Sequence, residues 1–144
     1  MKKLLILVLI FVLGLNVAAK NVKPAGLSDA ELNNMNNTVD CITKKMYAGA
    51  FLSPENTSTL IGIKIKLDDS MLISPDSRYA VIYYKLGKIY QKRGKTNEAI
   101  ECYQAIIENF SGTALAPKAA YALKQMGINV VLQQKIDNNT DEEE

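Results

Sequence analysis

The residues that could do chemistry in this chain are few, and their spacing works against them. Asp68 and Asp69 are adjacent, and adjacent residues on a helix point about 100 degrees apart, a poor arrangement for a paired acid and base. Glu98 and Glu101 are three positions apart and can share a helical face, where exposed glutamates are ordinary occupants. The sequence has no histidine, which removes the commonest general base and metal ligand, and with it nucleophilic triads, His-bearing zinc sites and imidazole pH switches. Gly87 and Gly94 lack the spacing of a phosphate-binding loop, and Asp137, Asp141 and Glu142 to Glu144 lack the order of a calcium loop. No enzyme activity, catalytic residue, metal site or cofactor is expected.

Cys41 and Cys102 have neither the spacing of a redox motif nor that of a zinc site. In an oxidising compartment they could form one bridge, whereas Cys102, between Ala99 and Ile106 on an apolar helix face, reads as a buried free thiol. The spacing leaves both readings open.

The amino terminus bears on that compartment. Lys2 and Lys3 precede an apolar run from Leu4 to Leu15, and then come Asn16, Val17, Ala18 and Ala19. A basic start, an apolar stretch too short to span comfortably and small residues at a cleavage point are the plan of a secretory signal over residues 1–19. An uncleaved anchor is the alternative, and it is the one route to membrane attachment. Without those 19 residues the chain has 15 basic and 15 acidic side chains, so nothing electrostatic favours nucleic acid or an anionic membrane as partner. Residues 137–144 form an acidic tail expected to be disordered, so the segment 20–136 carries five more basic than acidic groups.

With 48% apolar and 22% charged residues in 144, the rest reads as one small globular domain. Pro24 and Gly26 mark residues 20–27 as a linker. Ser28 and Glu31 form a capping box at the start of a helix whose Leu32, Met35, Val39, Ile42 and Met46 recur on one side. Gly49 ends that helix, and Ser53, Pro54 and Glu55 read as the cap and first turn of a second. Within residues 57–67, Ile61, Ile63, Ile65 and Leu67 alternate with polar positions as a strand would, yet Leu60, Ile61, Lys64, Ile65, Leu67 and Met71 also serve a helix. The helix is preferred, because a lone strand has no sheet to pair with.

After the break at Ser74 to Ser77, Tyr83, Leu86, Gly87 and Tyr90 mark one amphipathic helix, Gly94 a turn, and Ala99, Tyr103 and Ile106 a second helix. Two helices joined by so short a turn form an antiparallel hairpin, with Gly87 and Ala99 where the backbones approach and the tyrosines filling the space beside them. This pattern resembles the tetratricopeptide repeat, in which a large residue, Leu-Gly, Tyr, a Gly turn, Ala and an aromatic follow one another; Tyr83, Leu86, Gly87, Tyr90, Gly94, Ala99 and Tyr103 hold those positions. Ile106 and Ser111 depart from it. The segments Ser74 to Ala80 and Asn109 to Leu123 look like the linkers of periplasmic members of the family, similar to the Tol-Pal coordinator and outer-membrane assembly repeat lipoproteins.

The resemblance implies an all-α fold, a short right-handed stack of antiparallel helix hairpins over residues 28–136. Its best repeat is 78–111, flanked by helices from Ser28 to Ala48 and from Pro117 to about Ile136. It also implies a groove for a peptide segment or another envelope protein, with Tyr84, Lys85, Lys88 and Gln91 as candidate partner-binding residues and Tyr84 as an exposed aromatic anchor. The expected function is an exported, periplasmic, non-enzymatic protein–protein interaction module or scaffold of the cell envelope. The alternative is a structural subunit of a larger envelope assembly or a homo-oligomer.

Overall fold

The computed structural model describes residues 26–130, so the proposed signal at 1–19, most of the linker and the tail at 137–144 lie outside the described residues. Five helices follow one another: α1 (Asp29–Tyr47), α2 (Pro54–Ile73), α3 (Tyr79–Lys92), α4 (Thr96–Asn109) and α5 (Ala116–Gln125), with no strand among the described residues. The expected all-α stack of helices is what the chain forms.

The two amino-terminal helices start where the sequence says they should. The Ser28 hydroxyl accepts the Glu31 amide at 3.4 Å, and the Glu31 carboxylate accepts the Ser28 amide at 3.0 Å, so two orphan donors of the first turn are satisfied reciprocally. A hydrogen bond from Lys66, reinforced by those from Ser28, holds the Glu31 carboxyl down at about 2. Leu32, Met35, Val39, Ile42 and Met46 are all buried, as their spacing predicts. Ser53 caps α2 through the Asn56 amide at 3.2 Å, with Pro54 in the first turn where its missing N–H costs nothing.

Residues 57–67 are helical, which settles the ambiguous alternation, but the helix is turned differently from the sequence expectation. Its inward residues are Leu60, Ile63, Leu67 and Ser70, while Ile61 and Ile65 are 48% and 54% exposed. Apolar residues on every side leave the rotation undetermined by hydrophobicity. Ion pairs agree with the observed one: Lys64 reaches Asp68 at 2.9 Å and Glu101 of α4 at 3.1 Å, and Lys66 reaches Glu31 of α1 at 2.6 Å. Burial alone would lower the Lys64 ammonium; its hydrogen bonds to Asp68 and Glu101 together outweigh that and hold it above the usual lysine range.

The hairpin α3–α4 is the centre of the stack and makes its most extensive helix contact, followed by α4 with α5 and α1 with α3. Gly94, at φ +70, makes the turn: its own amide donates to Gln91 at 3.1 Å and the Lys95 amide reverses to Tyr90 at 2.9 Å. Gly127, at φ +83, closes α5 in the same way, with the Ile128 amide on the Leu123 carbonyl at 2.9 Å. This corrects the expectation of a last helix running to about Ile136: left-handed backbone at Gly127 stops it after Gln125, and residues beyond 130 lie outside the described ones.

Both cysteines are free thiols, Cys41 exposed on α1 and Cys102 buried on the inward face of α4. The bridge left open by the sequence is not made. Burial pushes the Cys102 thiol up to about 12, so it carries almost no thiolate at neutral pH. The native protein is therefore expected to react with one equivalent of an aromatic disulfide reagent at Cys41 and with a second only after unfolding. Two rapid equivalents under native conditions would contradict the burial of Cys102.

Candidate partner-binding groove

Contacts between α1 and α3 fix how these two helices lie. Asn33 and Arg78 face one cavity, the Lys85 ammonium bonds Asp40 at 2.6 Å, and the Lys92 ammonium sits 4.2 Å from the centre of the Tyr47 ring. The pairs advance by two turns on each helix at a constant sequence offset, so α1 and α3 run parallel, side by side. The helix α2 runs back against both, as its Lys66–Glu31 and Asp68–Tyr83 contacts require.

The seam between α1 and α3 is a groove with two different ends. At its amino-terminal end Leu32, Val81 and Ile82 form an apolar floor, rimmed by Asn33, Asn36 and Arg78, of a shallow cavity of about 180 Å³. That is room for one large apolar side chain. Arg78 is held at the rim by Asp29 and Asp76, each at 2.6 Å. In the middle, Lys85 is spanned by Asn36 and Asp40 of the facing helix. Toward the carboxyl-terminal end, Lys88 and Lys92 lie over tyrosine rings, at 6.0 Å from Tyr84 and 4.2 Å from Tyr47, and pair with no carboxylate among the described residues.

Of the four residues singled out from sequence, Lys88 is exposed on this surface and the others are engaged in the fold. Tyr84, expected as an exposed anchor, is half-buried: its ring packs 5.9 Å from that of Tyr103 at 57°. It is drawn inward because Gly87, one turn further on, has no side chain and lets the Tyr103 ring come up against α3. Lys85 ties α3 to α1, and Gln91 accepts a hydrogen bond from the Tyr103 hydroxyl at 3.0 Å. The contribution of α1 was missed; its only trace in the sequence is the asparagine-rich run 33–37, whose Asn33 and Asn36 face α3.

The repeat-packing residues occupy the positions their spacing predicts. Tyr83, Leu86, Gly87, Tyr90, Ala99 and Tyr103 are buried and Gly94 is the turn. The carboxylates considered for chemistry are taken up by neighbours: Asp68 accepts from the Tyr83 hydroxyl at 2.7 Å and from Lys64, Glu101 pairs with Lys64, and Glu98 lies 3.9 Å from Lys95. Burial, with Asp68 beside it, holds the Tyr83 phenol well above the usual tyrosine range.

Residues 80–110 match the family model of the tetratricopeptide repeat, a stretch coinciding with α3, the Gly94 turn, α4 and Phe110. No curated protein and no solved structure matches the chain. The hairpin at the centre of this helical stack therefore matches the tetratricopeptide repeat, a family whose repeats generally mediate protein–protein interaction.

Proposed function

We propose that this protein is an exported, non-enzymatic interaction module of the bacterial cell envelope that receives a segment of another envelope protein along the α1–α3 groove. The observation that carries the reading is the groove itself: two parallel helices held in register by Lys85, with an apolar socket at one end and, at the other, ammonium groups that pair with no carboxylate among the described residues. Export and a periplasmic location rest on the sequence of residues 1–19, and the envelope setting on the resemblance of the linkers around the repeat. Capture of envelope proteins from extract is expected to fall with Lys88→Glu and with Tyr84→Ala. Melting curves of both variants, run alongside, separate loss of contact from loss of fold, since Tyr84 also packs on Tyr103. Undiminished capture by both folded variants would count against the groove.

A structural subunit or homo-oligomer is the second reading, and the outer side of α2 favours it, where Ile61, Ile65 and Leu72 are 48%, 54% and 88% exposed. Concentration-dependent melting would support this reading, and a concentration-independent melt of a monomer would remove it.

A further inference from the structure

The two ends of this molecule differ in their balance of charge. Because α1 and α3 are parallel and α4 and α5 each reverse direction, α1, α3 and α5 all finish at the same end of the stack. Lys44, Lys45, Lys88, Lys92, Arg93 and Lys124 lie in or near the last turns of these three helices, and none has a carboxylate within ion-pair distance among the described residues. The acids that the topology brings to this end are Glu55 and Glu98, the latter beside Lys95. The carbonyl ends of three helices offset this charge by roughly half a unit each, which leaves a substantial positive excess. The opposite end carries Asp29, Glu31, Asp68, Asp69, Asp76 and Glu108, with Lys66 and Arg78 paired to acids there and Lys118 beside them, so its balance is acidic.

The chain leaves the described fold from the basic end. Ile128 and Val130, just past the end of α5, pack against the core there. Beyond Val130 the sequence runs on to Asp137 and then to Asp141, Glu142, Glu143 and Glu144, with Lys135 as the one basic residue. Asp141 lies eleven positions beyond Val130, enough to reach at most about 40 Å when extended. A stack only two helices deep beside α5 is narrower than that, at 8–10 Å per helix. Charge and reach therefore both suit one occupant.

We propose that the acidic segment 137–144 of the chain docks on its own basic end, laying Asp141 to Glu144 against Lys44, Lys88 and Lys92 and covering the carboxyl-terminal half of the α1–α3 groove. An incoming protein segment must displace it. This extends the proposed function to a self-covering groove, and its failure is separable from failure of that function. Surface ion pairs of this kind are individually weak, so the docking is reversible and sensitive to salt.

Carbodiimide cross-linking of the full chain, followed by peptide mapping, tests it, because the reagent joins only carboxylates and amines already in contact. At about 20 mM salt, links from Asp141 to Glu144 onto Lys44, Lys88 or Lys92 are expected within the monomer, and these should be lost at about 500 mM salt. The fourfold variant D141N, E142Q, E143Q and E144Q should capture more partner than the unmodified chain. Tail links confined to dimeric species would overturn the proposal in favour of a second copy. So would tail links distributed equally onto Lys66 and Lys118, or none at all. Salt-sensitive intramolecular links without any partner capture by the fourfold variant would support the docking and reject the groove's proposed function instead.

Discussion

Gly87→Val is expected to lower stability by about 3 kcal/mol, at the upper end of what overpacking a core costs, which corresponds to a fall in Tm of order 10–20 °C for a domain of this size. A Cβ at this position would stand 2.7 Å from Cε1 and 2.9 Å from Cζ of Tyr103. That ring has nowhere to go: it is fully buried, its hydroxyl is bonded to Gln91, and Tyr84 packs on it. Gly87→Ala adds the same clash with less bulk and gains about 1 kcal/mol of helix propensity, so a smaller loss is expected. Removing the ring should relieve it. In a double-mutant cycle, Gly87→Ala and Tyr103→Leu are expected to couple by about 1 kcal/mol or more. Additive effects would show that the two helices do not meet at this point.

The second large effect is expected in alkali. Burial raises the Cys102 thiol from its ordinary value near 9 to about 12, and the Tyr90 phenol from near 10 to about 12. Both groups are neutral acids whose folded pKa lies above the unfolded one. Their stabilisation is therefore complete below about pH 9 and is lost as the pH rises toward 12, because only the unfolded chain releases the proton readily. Each such group removes about 1.4 kcal/mol per pH unit within its window, so Cys102 alone accounts for about 4 kcal/mol, a large share of the stability of a small domain. Cys102→Ala separates this from general alkaline damage. It should be less stable than the parent at pH 8, by about 1–2 kcal/mol for the lost packing, and should become the more stable of the two before pH 12. Parallel pH–stability curves for the two proteins would refute the assignment.

Where a residue's structural role was local, it was legible. The capping box at Ser28 and Glu31 and the glycine turn at Gly94 follow from residue types within a turn, the buried stripe from Leu32 to Met46 from spacing along one helix, and the pairing of Gly87 with an aromatic from spacing across one short hairpin. The rotation of α2 was not legible, because Ile61, Ile63, Ile65 and Leu67 offer apolar surface in every direction and the agreeing partners, Glu31 and Glu101, lie far away in the sequence. The end of α5 was visible in principle: Gly127 follows Leu123 as Gly94 follows Tyr90, and apolar residues after it obscured the stop.

The groove was half legible for a related reason. Lys88 was one of four candidates, with Tyr84, Lys85 and Gln91, placed on the outer side of a recognisable repeat helix. The other wall belongs to α1, and nothing local says that Asp40 will stand opposite Lys85 or Tyr47 opposite Lys92, since these pairs arise from the packing of elements separated by all of α2. Tyr84 shows the converse: its exposure was inferred from its own helix, and the ring of Tyr103 on the next one drew it in.

Site-specific photo-cross-linking in living cells tests the groove most directly. A photoreactive residue at position 88, on the α3 side of the groove, is predicted to form adducts with a partner protein, while one at position 104, exposed on α4 away from α1, is predicted to form none. Equal adducts from both positions, or adducts from 104 alone, would contradict a groove between α1 and α3 as the surface through which this protein engages its partner.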